Sequence, residues 1–460
     1  MIPIILLSVF GIANLFLGFQ KTRNMLLPAA VLFLLVVFGA NAYYWNNAPT
    51  EAYFAEMMTV DNVSVAFSGI VILAALLILP LSTRYLSDPH AQPAEYYSIL
   101  LFSVVGAIMM ISFENIIMLF VGIEILSIAM YVLTGSEKRN LRSNEAALKY
   151  FLMGSFATGI LLFGVALVYG ATMSFSLHEI AARITNLSGD NAPMLYMGLT
   201  FMLIGILFKV SAAPFHFWTP DVYEGAPSLF TTFMSTVVKT AGFAALYKLL
   251  SVSFGQIYDF WWVSIATMTV LTLIIANLTA VYQQSFKRMM AYSSVSHAGY
   301  LLIAVVALND KSLQAILFYS LAYTIATVSA FGVMMAVASE RGNENYDSFN
   351  GLGKSNPFLA FVMTVAMCSL AGIPLTAGFF GKFFIFVSAV ERGLTWLLVI
   401  AVLASAVSIY YYFRVVIAMY MKSSNEPKVA VHSNYKTVLA ITTMLTLILG
   451  LLPGLVSEMF

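Results

Sequence analysis

Charge is what this sequence has least of. Only 9% of its 460 residues are Asp, Glu, Lys or Arg, against 61% that are hydrophobic. A soluble globular chain is about 25% charged, because its surface must face water. So few charges cannot cover a water-facing surface, which excludes a soluble enzyme and a disordered protein. The net charge is +1 and no basic run stands out, so no face is expected to track nucleic-acid phosphates. Cysteine is nearly missing as well: Cys368 stands alone in an apolar run. A disulfide framework, a cysteine-built zinc site and an iron–sulfur cluster are therefore excluded within the chain. Neither GxGxxG nor GxxxxGK[ST] stands between a strand and a helix, so no nucleotide cradle is expected. The histidines, His90, His178, His216, His297 and His432, are scattered and form no metal-ligand pair.

What the chain does have is long apolar runs. A spanning helix needs about 20 mostly apolar residues. Fourteen stretches qualify, near 3–20, 25–46, 61–83, 96–112, 114–134, 142–170, 193–218, 227–250, 260–281, 286–307, 312–339, 357–388, 393–421 and 436–457. Backbone in hydrocarbon must satisfy its own hydrogen bonds, so these stretches are expected to be helices. The fold class is an all-α polytopic membrane protein of about fourteen spans, with loops too short for a soluble domain. The first run lacks a cleavage-site pattern and reads as a helix rather than a signal peptide.

Basic residues favour inner loops. With the N-terminus outside, inner loops carry 13 Lys and Arg, among them Lys21, Arg84, Lys138, Arg139 and Arg142. Outer loops carry four: Arg183, Lys248, Lys311 and Arg392. Both termini are expected outside. Two spans have a proline at mid-depth, Pro214 in KVSAAPFHFW and Pro374 in SLAGIPLTAGFFGK. Each removes a backbone bond to the carbonyl four residues back, on Val210 and Leu370. Interrupted helices at corresponding places in two halves point to a transport path at an inverted-repeat interface. The prolines lie 160 positions apart with five spans per unit. This suggests a three-helix segment over 1–95, five-helix repeats over 96–251 and 252–421, and a last helix within 422–460. Two independent kinks are the plainer alternative, and the charges of the two halves do not superpose on that spacing.

Ionisable residues inside spans are rare, at about 2.5–3.5 kcal/mol each on insertion scales. Glu124 lies ten residues after Glu114, so about 15 Å into its helix. Lys209 precedes the Pro214 break by five residues, and Lys382 follows the Pro374 break by eight. Lys239 and His297 lie at similar depth in two further spans. A buried Glu–Lys pair can be structural glue, and a lone intramembrane His is more often a satisfied core residue than a relay. The neighbours favour a relay: Ser293, Ser296, His297 and Tyr300 share a face, as do Thr231, Ser235 and Lys239, and Tyr319, Tyr323 and Thr327. His216, beside Pro214, could bridge the break. Lys149 could reach the membrane surface or pair with Glu145. Arg414 is expected to anchor an inner helix end. Burial disfavours an ammonium and a nearby carboxylate favours it, so lysines in series with water between them suit protons.

Four segments carry a resemblance. They are LFVGIEILSIAMY at 119–131, LFKVSAAPFHFWTPDVYEGAP at 207–227, FKRMMAYSSVSHAGY at 286–300 and SLAGIPLTAGFFGKF at 369–383. Together they resemble the antiporter-like subunits of proton-pumping NADH:quinone oxidoreductase, respiratory complex I, and within them subunit N. The likeness covers nearly the whole chain. Related M and L subunits and cation/proton antiporter subunits usually read P-D-A-H where this chain has Pro220-Asp221-Val222-Tyr223. Subunit M tends to carry a glutamate where Lys382 stands, and subunit L adds a lateral helix after span fourteen. The plastid-type counterpart of subunit N shares the features seen here.

The resemblance implies fourteen helices, inverted five-helix repeats and broken helices seven and twelve. It implies proton transfer through Glu124, Lys209, Lys239, His297 and Lys382, with Lys382 facing the exit path. No cofactor is expected in this chain; FMN, iron–sulfur clusters and quinone are expected in partner subunits. K-like and M-like membrane subunits and membrane lipids are the expected partners, in a bacterial inner membrane with both termini periplasmic. A subunit of a multisubunit Na+/H+ antiporter and a purely structural scaffold are the other readings.

Overall fold

The computed structural model describes residues 1–19, 23–47, 53–83, 91–185, 191–423 and 428–457. Lys21, Arg84 and His90 lie outside these segments. The described residues are helical, with isolated bridges such as Met58 to Phe113 and Asn115 to Ser176 and no longer strand pairing. Among them, 12 helices are long and apolar enough to cross a membrane, and Ile2–Leu17 and Pro357–Ala371 are shorter apolar helices. Each of the apolar stretches read from the sequence falls on one of these. The differences lie at the prolines. The stretch near 193–218 is helical only to Lys209, and that near 357–388 divides into Pro357–Ala371 and Ala377–Glu391.

Helix starts follow from local chemistry. Asp61 accepts from the Ser64 amide in a capping box at the head of Asn62–Ile78. Asn115, Asn140 and Ser285 each accept from a first-turn amide of the helix that follows. These caps satisfy donors that a helix start leaves open. Close packing within the membrane relies on small residues. Pro93–Ser112 and Ile116–Thr134 meet at Gly106 and Gly122. A Cβ on Gly106 would lie 2.7 Å from the Leu126 amide nitrogen, and one on Gly122 2.9 Å from that of Met110.

The chain divides into two units. Unit 1 holds Met1–Trp218, Gly225–Phe230 and Val237–Ile265, and unit 2 holds Thr219–Glu224, Thr231–Thr236 and Ala266–Phe460. Burial sorts the helices. Ser228–Ser253 and Phe286–Ala307 are almost wholly buried, although they carry Lys239 and His297. Leu141–Thr172 and Thr395–Met421 instead expose large apolar side chains, including Phe156, Phe163, Leu403 and Met421. Such faces would be a liability in water; hydrocarbon covers them at no cost.

Candidate functional site

In unit 1 the chemistry gathers where Asn191–Lys209 stops. The helix ends five residues before Pro214, and Ser211 takes a left-handed conformation. Trp218 returns to cap this end, its indole N–H donating to the Phe208 carbonyl at 3.1 Å. Its ring stacks on Tyr150 and Phe208. Lys209 is the last helical residue and is buried. Its Nζ donates to Ser127 Oγ at 2.7 Å and lies 5.9 Å from the centroid of the Tyr150 ring. Ser127 in turn donates its hydroxyl hydrogen bond to the Ile123 carbonyl at 2.5 Å. Glu124 stands one turn before Ser127 on the same helix. It is half-buried, within electrostatic reach of Lys209, and its Oε1 is buried without a hydrogen-bond partner. The lysine therefore rests on a neutral hydroxyl with the carboxylate nearby, rather than in a direct ion pair.

Lys239, also in unit 1, is buried. It follows a π turn over Met234–Val238, an irregularity frequent at functional sites. His216 is buried, and its Nδ1 has no hydrogen-bond partner. Lys149 is half-exposed and pairs with Glu145 at 2.8 Å, so it belongs to the outer surface of its helix. At one end of the unit Glu114 accepts from Lys248 Nζ at 2.7 Å and from the Thr59 hydroxyl, with His178 Nε2 at 3.5 Å. Lys248 is thus largely buried within a helix rather than placed in a loop.

In unit 2 the second break builds a site around Lys382. Pro357–Ala371 ends in a left-handed Gly372, and Ala377–Glu391 restarts the helix. The two pieces approach so closely that a Cβ on Gly378 would lie 1.8 Å from the Ser369 carbonyl oxygen. Lys382 Nζ donates to the Ala371 carbonyl and to Ser405 Oγ, both at 2.8 Å, and lies 4.7 Å from the centroid of the Tyr300 ring. The ammonium thereby meets the negative end of the first piece. His297 lies between two phenols, with Nδ1 2.6 Å from Tyr319 Oη and Nε2 3.0 Å from Tyr412 Oη. Tyr412 Oη is 2.5 Å from Ser293 Oγ. The Tyr300 ring lies beside both His297 and Tyr319. Nearby, Tyr411 donates to Asn277 Oδ1, and Asn277 Nδ2 donates to Ser296.

A neutral imidazole carries one N–H, so one phenol accepts from His297 while the other donates to it. The two arrangements differ in which nitrogen holds the proton and in which phenol donates. The site can therefore pass a proton without leaving a charge on the ring.

Residues 114–408 match a family model described as NADH:quinone oxidoreductase/Mrp antiporter, TM. The chain is 40% identical over 459 residues to NADH-quinone oxidoreductase subunit N of Flavobacterium psychrophilum, covering 99% of both chains. It is 41% identical over 462 residues to the protein of that name from Trichlorobacter lovleyi, covering 99% of this chain and 94% of that one. The chain belongs to the subunit N family. Its fold matches a chain of respiratory complex I from Thermus thermophilus with bound Aureothin. That match has a TM-score of 0.84 at 33% identity and covers 99% of this chain and 98% of that one. A chain of the Mrp complex from Dietzia sp. DQ12-45-1b gives 0.86 at 19% identity, covering 98% and 95%, a likeness of fold alone.

For this member of the subunit N family, the sequence found the titratable residues but few of their partners. Tyr412, Ser405, Tyr411 and Asn277 were missed, and Ser127 was not singled out within its motif. A signal was present: Ser405, Ser408 and Tyr412 follow 3–4 spacing on Thr395–Met421. It is hidden because serines also pack helices without further purpose. Arg288, which bridges Asp221 at 3.0 Å and Glu224 at 2.8 Å and so holds Trp218–Gly225, was likewise not foreseen. Among the described residues no group of three or more His, Cys, Asp or Glu could hold a metal.

Proposed function

We propose that this chain is a non-redox, proton-translocating membrane-arm subunit of an NADH:quinone oxidoreductase. The observation that carries the proposal is the presence of two broken helices, each with a buried lysine at the break. Lys209 ends one helix, and Lys382 holds the carbonyl that ends the other piece. A lysine at membrane depth is costly. Likeness to subunit N relatives along their full length supports the same reading. The antiporter reading has weaker support: a family model whose description covers both, and a likeness of fold at 19% identity.

On this reading protons move through Glu124, Lys209, Lys239, His297 and Lys382, with water between them. An ammonium in a low-dielectric interior holds its proton better with a counter-charge close by and yields it as that charge withdraws. Glu124 is suited to that part because its Oε1 has no competing partner and Ser127 already holds Lys209. His297 relays by taking a proton from one phenol at one nitrogen as it gives the proton on its other nitrogen to the opposite phenol, each phenol in turn exchanging its own proton with the next group in the path. Lys382 receives last and releases outward. His216 is a secondary candidate at the first break, and Lys149 at the surface of its helix.

The repeats, over 96–251 and 252–421, are inverted relative to one another, and both termini face the periplasm across a bacterial inner membrane. The chain assembles beside K-like and M-like subunits. Redox chemistry, with FMN, iron–sulfur clusters and quinone, resides in partner subunits, and quinone reduction there drives the charge movements here. The test is proton flux in vesicles holding the assembled complex, with electron transfer followed in parallel. Glu124→Gln should assemble and lose pumping. Pumping at the wild-type level in that variant would remove Glu124 from the switch.

A further inference from the structure

Of the three groups that hold Lys382 in unit 2, one has a proton to give. The Ala371 carbonyl only accepts and the Tyr300 ring offers its face, whereas Ser405 Oγ, 2.8 Å from Nζ, carries a hydroxyl. Behind Ser405 stands Tyr300, whose side chain is buried and whose hydroxyl lies within hydrogen-bonding reach of Ser405 and of Ser296. The Tyr300 hydroxyl donates to the Ala401 carbonyl at 3.3 Å. That bond is long, since O–H···O bonds normally span about 2.5–3.0 Å, so little is lost when it opens. Ala401 and Ser405 stand one turn apart on Thr395–Met421, which puts their acceptors on one face of the helix. A short swing therefore takes the Tyr300 O–H from a carbonyl that passes nothing on to a hydroxyl that does.

Two hydrogen-bonded arms leave His297, and they differ in what they can carry. On the Nε2 side Tyr412 meets Tyr411, which donates to Asn277 Oδ1 at 2.9 Å, and Asn277 Nδ2 donates to Ser296 Oγ at 2.8 Å. A carboxamide accepts at its oxygen and donates from a nitrogen that keeps its protons, so this arm carries no proton past Asn277. What it does supply is direction. Ser296 accepts from Asn277 and has its own proton to offer Tyr300 Oη, one turn further along Phe286–Ala307. With that lone pair occupied, the Tyr300 O–H is turned toward Ala401 and Ser405. On the Nδ1 side Tyr319 Oη is 2.6 Å from His297, and the Tyr319 ring lies beside that of Tyr300, with centroids 6.4 Å apart. This second arm contains no amide.

We propose that the Tyr300 hydroxyl is the last relay before Lys382, connected when it swings from the Ala401 carbonyl to Ser405 and disconnected when it swings back. This rests on the path to Lys382 proposed above. In the transfer the Tyr300 O–H breaks as its proton goes to Ser405 Oγ, and the Ser405 O–H breaks as its proton goes to the neutral Lys382 Nζ. Tyr300 Oη is refilled from a water that takes its proton from Tyr319, so neither hydroxyl keeps a charge. The test uses the complex assembled with its partner subunits in vesicles, with proton flux and electron transfer followed together. Tyr300→Phe keeps the ring face on Lys382 and removes the relay. A positioned proton-transfer group contributes about 10²–10⁴-fold, and with water filling part of the gap the flux should fall about tenfold or more. Ser405→Ala should lose as much, and Ser405→Thr, which keeps the hydroxyl, should recover most of it. With 3,5-difluorotyrosine in place of Tyr300 the hydroxyl stays and becomes more acidic, so the alkaline limb of the flux–pH profile should move to lower pH; a merely structural hydroxyl would leave it in place. Wild-type flux in Tyr300→Phe, or an unmoved profile with difluorotyrosine, would overturn the proposal. Lys382→Met in the same assay separates the two readings. Flux lost there but kept in Tyr300→Phe removes Tyr300 alone, and flux kept in both removes the path to Lys382 as well.

Discussion

Lys382 is held by groups that can also let it go. A backbone carbonyl, a serine hydroxyl and an aromatic face are all neutral, so its proton is stabilised without the grip of a carboxylate. Lys382→Met keeps the apolar stem and removes the titrating group. Assembly should survive, while proton flux in vesicles falls about tenfold or more, equivalent to about 1.4 kcal/mol on the transfer barrier. Lys382→Arg should be nearly as damaging, because a guanidinium does not release its proton. Normal flux in Lys382→Met would mean that the exit path avoids this residue. Tyr412→Phe addresses the relay itself. It leaves His297 Nε2 and Ser293 Oγ without their shared partner, at a cost of about 1–3 kcal/mol for a buried polar group left unsatisfied. Pumping should fall further than thermal stability accounts for. Ser408→Ala makes the control, since Ser408 donates to the Ser405 carbonyl and meets Tyr411, both on its own helix; equal losses in the two variants would indicate a structural hydroxyl.

The second break places two backbones in contact, which makes its geometry testable by a single methyl group. In Gly378→Ala the new Cβ would meet the Ser369 carbonyl oxygen at 1.8 Å, and neither partner is a flexible side-chain end. Overpacking of this kind costs about 1–3 kcal/mol or more. The assembled subunit should melt earlier, and Lys382 should lose its register on the Ala371 carbonyl. Gly159→Ala is the matched substitution: nothing lies within 4 Å of its Cβ position, and removing a helical glycine there should be neutral or stabilising by about 0.5–1 kcal/mol. Equal melting of both variants would show that the contact at Gly378 is not tight. Both breaks were legible in the sequence because Pro214 and Pro374 forbid a continuous helix. The extents were not, because where a helix stops before a proline depends on what caps it. Trp218 reaches back to Phe208, and Lys382 reaches back to Ala371; both are tertiary contacts that no local pattern encodes. The expected Glu124–Lys209 relation shows the same limit. Spacing put both at one depth, but the choice of Ser127 as hydrogen-bond partner is set by how two helices pack.

At the scale of the whole molecule, helix burial and the sequence agree on why charges sit inside. Hydropathy alone found the spans, yet it could not separate lipid-facing helices from buried ones, because both are apolar. The distribution of Lys and Arg adds what hydropathy lacks, a direction. Read by hydropathy, thirteen basic residues go to one set of loops and four to the other, Lys248 of the four lying instead at the end of a helix, and cytoplasmic loops carry the excess. Lys138 and Thr185 belong to opposite sets, are exposed, and lie in short connections. In a Cys368→Ser background, Lys138→Cys should react with a membrane-impermeant maleimide only in inside-out vesicles. Thr185→Cys should react only in intact spheroplasts. Labelling is read on this subunit after separation from its partners, so cysteines elsewhere in the complex do not interfere. Modest destabilisation is expected at most, since both side chains face outward and neither substitution buries a polar group. The reverse pattern would place both termini in the cytoplasm and turn the Lys382 half of the path toward the inner side. Proton release would then have to be reassigned to the Glu124 half, which makes orientation the measurement on which the direction of transport depends.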